Sequence, residues 1–148
     1  LSHNALVSAV TTHLTTGLGP LFAPTSAEVH GALSTLGRPS HFGQLAQTFF
    51  DHLSRSCLNV FLSKTLGSQI GAGHQFSTTA QVSQFEGAMA QHTREASEIV
   101  SRYCKEWFSK NLFEGNGDIS KKKSTGFGWI ALKKIRSEMK ERAKPNAR

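Results

Sequence analysis

A single stripe runs through the second half of the chain: Val82, Phe85, Met89, His92, Ala96, Ile99, Tyr103 and Trp107 follow one another at steps of three or four residues. Such steps return to the same side of an α-helix, whereas a strand would need strict alternation. The segment from about Thr78 to Leu112 is therefore predicted to be one helix. At 1.5 Å per residue its roughly 30 residues would span about 45 Å, against about 30 Å for the diameter of a small domain. A helix that long has to kink, with Gly87 as the candidate point, or protrude, or pair with another chain.

The rest of the chain reads as further helices. Ser2 to Thr16 carries Leu6, Val10 and Leu14 at spacing four with Val7 beside them, although its threonines are poor helix formers. Gly17, Gly19 and Pro20 end it. Thr25 and Glu28 form a capping-box pattern, followed by Val29, Ala32, Leu33 and Leu36 on one face. Gly37 is a natural stop, and Pro39 prevents continuation. From about Ser40 to Leu66, the positions Phe42, Leu45, Phe49, Leu53, Cys57, Val60 and Phe61 keep to one side, broadened by Phe50, Leu58 and Leu62. So apolar a segment is expected to be a central core helix. Gly67, Gly71 and Gly73 give a flexible connection, and Gly115-Asn116-Gly117-Asp118 is a turn. A last helix begins at Lys121 or as late as Trp129, and ends near Ala143 before Pro145. No strand pattern or internal repeat is present. The expected fold is all-α: an irregular bundle of about five helices with two long central ones, forming one domain over 1–148 with a basic segment at 119–148.

Charge is distributed unevenly. The chain has net charge +7 and pI near 9.8. Residues 1–50 carry only Glu28 and Arg38, whereas residues 101–148 carry thirteen basic and five acidic side chains. A local cationic surplus favours nucleic acid, an anionic membrane or an acidic protein. No apolar run reaches the roughly 20 residues of a membrane span, so a membrane is not an expected partner. The opening residues Leu1 to Ala5 lack the charged start of a secretory leader. Cys57 and Cys104 are too few for a disulfide scaffold and read as buried thiols in a reducing, cytoplasmic compartment.

Chemistry-bearing motifs are sparse. The seven histidines show no i, i+4 pair of the zinc-helix kind, and no metal or cofactor is expected. His92 with Glu95 could form an acid/base pair, but a core-edge histidine with one satisfied hydrogen bond is the simpler reading. Asp51, His52 and Ser54 or Ser56 hold triad residue types, yet neighbours on a helix diverge by about 100° and cannot orient one another. The stretch Gly117 to Ser124 lacks the Gly-Lys-Ser/Thr order of a phosphate loop, and Asn116 to Asp118 fails the calcium-loop spacing. Tyr103, Trp107, Phe108 and Phe113 are expected to close the end of the bundle.

The last helix carries the sharpest pattern. With about 100° per residue, Leu132, Ile135, Met139 and Ala143 share the face expected to be buried. Trp129, Lys133, Arg136, Lys140 and Lys144 share the next one, while Glu138 and Glu141 fall on the opposite flank between Lys134 and Arg142. If the helix begins at Lys121, then Lys121, Lys122 and Lys123 place cations at the end of the macrodipole that prefers anions. Backbone amides there can bind phosphate, with Ser124, Thr125, Gly126 and Gly128 permitting close approach. The function read from these residues is a non-enzymatic accessory subunit. It would contact the backbone of DNA or RNA, independently of sequence, through Lys121, Lys122, Lys123, Trp129, Lys133, Arg136, Lys140 and Lys144. The alternative is a protein-interaction or self-association module built on the long helix and the weakly charged first hundred residues.

Overall fold

The computed structural model describes residues 1–17, 25–71, 73, 75–115 and 119–144. Among them the chain forms five α-helices: α1 (Ser2–Gly17), α2 (Ser26–Leu36), α3 (Pro39–Thr65), α4 (Thr79–Glu114) and α5 (Lys121–Arg142). A short 3-10 turn, Leu66–Ser68, extends α3. The only β pairing among the described residues is an isolated bridge between Ile70 and Phe76. No helix among them is long and apolar enough to cross a membrane. The architecture is an all-α bundle around α3 and α4, as expected. The turn read at Asn116–Asp118 and the stops at Gly19, Pro20 and Pro145 lie outside the described residues.

Local chemistry explains the helix starts. Thr25 caps α2 through a complete capping box: its hydroxyl accepts from the Glu28 amide, and Glu28 accepts from the Thr25 amide at 2.7 Å. Those bonds to Thr25 also lower the Glu28 pKa. Thr78 caps α4 and Ser120 caps α5 by accepting from the third amide of each helix. Pro39 opens α3 at a position where its missing N–H costs nothing. Gly71 and Gly73 in the α3–α4 connection adopt positive φ, a region other side chains avoid.

α3 and α4 are antiparallel. Phe42 stacks on Phe108 at 4.1 Å near one end, and Arg55 lies beside Ala90 and Gln91 toward the other. Their contact is close because the facing residues are small: Gly43 and Ala46 on α3, and Thr93, Ala96, Ser97, Val100 and Cys104 on α4, are all buried. A Cβ on Gly43 would stand 2.7 Å from the Ser101 carbonyl oxygen. The Thr93 and Ser97 hydroxyls, buried among apolar atoms, donate to carbonyls one turn back at 2.8 Å each.

Small residues also govern α1. Ala5 and Ala9 are buried, while Leu6 and Val7 are largely exposed. The expected stripe of Leu6, Val10 and Leu14 is therefore not the buried face, because α1 approaches α3 through its alanines. His13 adds one directional link: its Nε2–H donates to the Thr48 hydroxyl at 2.9 Å, whose own proton goes to the Gln44 carbonyl. α2 buries no residue fully.

The long helix α4 runs uninterrupted through Gly87, and its N-terminal part is sparsely covered. Residues 83–88 are all exposed, and the first buried residue of α4 is Thr93. The partnering stretch of α3 is bare too. Val60 and Phe61 are exposed, and so is Cys57, which corrects its reading as a buried thiol. Cys104 is buried as expected, and burial pushes its thiol up to about 12.

Two outcomes follow. Gly43→Ala should lower the melting temperature, because overpacking against backbone costs about 1–3 kcal/mol. Gly87→Ala, with nothing within 4 Å of the new Cβ, should raise it by the helix propensity gain of up to about 1 kcal/mol. Thermal melts of the two variants distinguish close packing from propensity. For Cys104, burial makes the folded thiol ionise only well above its ordinary value of 9.0. Its share of stability is thus intact below pH 9 and declines as pH rises from there toward 12. Chemical melts across that range should show the decline, and Cys104→Ala should flatten it.

Candidate nucleic-acid interface

The last helix starts at Lys121, not at Trp129. It therefore carries Lys121, Lys122 and Lys123 in its first turn, the arrangement that a macrodipole disfavours unless an anion is near. All three are exposed. Ser124 and Thr125 do not face outward as free hydroxyl donors: they donate to the Ser120 and Lys121 carbonyls at 3.2 and 3.0 Å.

What orients α5 is Phe127. Its ring meets Trp107 at 4.4 Å, Tyr103 at 5.7 Å, Phe42 at 5.9 Å and Phe50 at 6.3 Å, so it wedges between α3 and α4. Ala131 and Ile135, at steps of four from Phe127, are buried behind it. α5 runs antiparallel to α4, and polar bonds fix its far end. His92 Nε2–H donates to the Met139 carbonyl at 3.2 Å, and Arg142 reaches Glu95 at 3.0 Å and Glu138 at 2.9 Å. Lys134 lies over the Tyr103 ring, 5.2 Å from its centre.

These contacts correct the expected orientation. The buried face is Phe127, Ala131 and Ile135, turned by roughly 85° at 100° per residue from the face read around Leu132. Leu132 is 41% exposed, Ala143 is exposed and Met139 half-buried. Lys134 engages the Tyr103 ring instead of Glu138. Glu138 pairs with Arg142.

The basic strip stays outside after this rotation. Trp129 is 73% exposed, and Lys133, Arg136, Lys140 and Lys144 are exposed beside it. Lys122 falls on the same face by helix periodicity. From Lys122 to Lys140 the strip covers about 27 Å at 1.5 Å per residue. Among the described residues Lys121, Lys122, Lys123, Lys133, Arg136 and Lys140 have no ion-pair partner, but Lys144 is paired with Glu141 at 2.7 Å. Lys144 is thus the weakest member of the set.

Other candidates separate. His92 serves the Met139 carbonyl and Glu95 serves Arg142, so the two do not bond to each other. Asp51 accepts from Arg55, not from His52. No cluster of three metal-ligating side chains exists among the described residues. Tyr103, Trp107 and Phe108 close the bundle with Phe42 and Phe127, whereas Phe113 is 88% exposed and takes no part. Sequence reasoning missed Phe127, although Phe127, Ala131, Ile135 and Met139 stand at steps of four. It also missed an apolar groove of about 550 Å³ between α3 and α5, reached by Leu53, Cys57, Leu58, Leu132 and Met139. Comparison with protein-family models, curated proteins and solved structures finds no match to this chain.

Proposed function

We propose that this chain is a non-enzymatic accessory subunit that holds a nucleic-acid backbone along α5. The observation that carries the reading is the exposure of Trp129 on the same helix face as Lys122, Lys133, Arg136 and Lys140, cations without ion-pair partners among the described residues. An exposed indole offers a flat π-face beside those cations. Lysine and arginine neutralise phosphates and release counterions, and an exposed indole stacks on an unpaired base whatever its identity. The strip therefore suits single strands, read without sequence preference. The first-turn lysines at Lys121 and Lys123 add cations where amides already favour phosphate.

Binding to labelled single- and double-stranded DNA and RNA tests it. Four phosphate contacts predict a log–log salt slope near −3 on single strands. Joint reversal, Lys133→Glu with Arg136→Glu and Lys140→Glu, should weaken binding by about 100-fold or more at low salt, with helical circular dichroism unchanged. Trp129→Ala should cost about 1–3 kcal/mol on single strands and little on duplex. Binding that survives the triple reversal would reject the strip as the site.

A second reading, a protein-interaction module, has its own support. The accessible surface is 10352 Å², against about 7,400 Å² for a globular monomer of this mass. Exposed large apolar side chains include Val60 and Phe61 on α3 and Phe85, Ile99 and Phe113 on α4.

A further inference from the structure

α3 and α5 converge where Phe127 meets Phe42 and Phe50, but further along a groove separates them. One wall is Leu53, Cys57 and Leu58 of α3, and the other is Leu132, Met139 and Ala143 of α5. Ile135 and His92 belong to its lining, and the His92 ring is already committed to the Met139 carbonyl. The groove follows α5 for eleven residues' rise, about 16 Å, or three helical turns. At its α3 side the apolar surface continues onto Val60 and the 64%-exposed Phe61.

The charge around it is of one sign. No carboxylate lines the groove, while Arg136 and Lys140 stand on it and have no ion-pair partner among the described residues. We infer that this groove docks the apolar face of an acidic amphipathic helix from a partner protein, its carboxylates meeting Arg136 and Lys140. Length, apolar lining and an open trough between two helices match the way such helices lie in grooves, with anchors at i, i+3 or i+4 and i+7. The one-signed rim selects an acidic partner over a second copy of this chain, whose net charge of +7 opposes close approach. The inference stands apart from the nucleic-acid reading: it rests on Cys57, Leu132 and Met139, whereas that reading rests on Trp129 and Lys133. Because both use Arg136 and Lys140, the two ligands should compete.

Cys57 reports on the groove directly. It is the exposed thiol of the two cysteines, while Cys104 is buried. The experiment follows the rate at which a chromogenic disulfide reagent modifies Cys57 in the full chain. The probe is a synthetic amphipathic helix of about 18 residues with a leucine face and glutamate flanks. Controls are the same peptide with lysine flanks, a scrambled peptide and dodecanoate. The acidic peptide should slow the reaction saturably, and the lysine-flanked and scrambled peptides should not. Leu132→Asp, and separately Arg136→Glu with Lys140→Glu, should weaken that protection by about tenfold or more. Trp129→Ala with Lys133→Glu should leave it intact while lowering affinity for single-stranded DNA. Circular dichroism confirms that each variant is folded. Equal protection by both charge versions, or none by the acidic peptide, would overturn the inference. So would protection by dodecanoate alone, which would assign the groove to a small amphipathic anion. Slowing that tracks protein concentration without peptide would assign it to a second copy and overturn it likewise.

Discussion

Insertion of Phe127 between α3 and α4 sets the orientation of everything on α5. The ring touches two aromatic residues of α3 and two of α4. Aromatic pairs at such centroid distances add about 0.5–1.5 kcal/mol beyond the area they bury. With Phe127 seated, Ala131 and Ile135 must follow it inward one and two turns later. Trp129 and the lysines and arginine in register with it must then face water. The Arg142 pairs with Glu95 and Glu138 secure the opposite end, but they are partly exposed and add little to stability.

The same constraint opens the groove. α5 is anchored at its N-terminal half by a bulky ring and then by alanine, while α3 turns increasingly bare beyond Leu53. The buried apolar set consists largely of alanines, with Phe50, Val100, Cys104 and Ile135 as its larger members. Small residues let helices approach closely, as at Gly43 and Ser101, but each buries little area. Much of the large apolar side-chain surface therefore remains outside, at Val60, Phe61, Phe85, Trp129 and Leu132. Two exposed faces adjoin along α5. One is cationic and aromatic, the other apolar with a cationic edge, and Arg136 and Lys140 belong to both.

Helix count, most helix ends and the all-α class were legible in the residues, while the start of α5 stayed open between Lys121 and Trp129 until the Ser120 cap fixed it. Capping at Thr25, Thr78 and Ser120 and the stop at Gly37 are local chemistry, and local chemistry needs no knowledge of the partner helix. The buried faces were less legible. On α1 the stripe drawn through Leu6 follows the largest side chains, whereas close packing selects Ala5 and Ala9; on α4 the stripe includes the buried Ala96, but Ile99 is exposed and the small Thr93 and Ser97, with Val100 and Cys104, are buried instead. On α5, Leu132 misled for the same reason. The stripe of Phe127, Ala131, Ile135 and Met139 was present, but Gly126 and Gly128 beside Phe127 left the start of the helix open. The basic strip survived the error because it occupies a wide arc, so a rotation of the buried face left its members exposed. The groove was out of reach of any single-helix reading, since it exists only where two helices diverge.

Hydrogen exchange on Phe127→Ala tests the dependence of α5 on that one ring. Loss of this half-buried ring should cost up to about 3 kcal/mol, the lower end for a core phenylalanine. Amides of α5 should lose most of their protection while those of the α3–α4 pair keep theirs, and Phe127→Leu should restore much of it. Unchanged protection across Lys121–Arg142 in Phe127→Ala would mean that the polar contacts at Met139 and Arg142, and not the aromatic wedge, hold the helix in place.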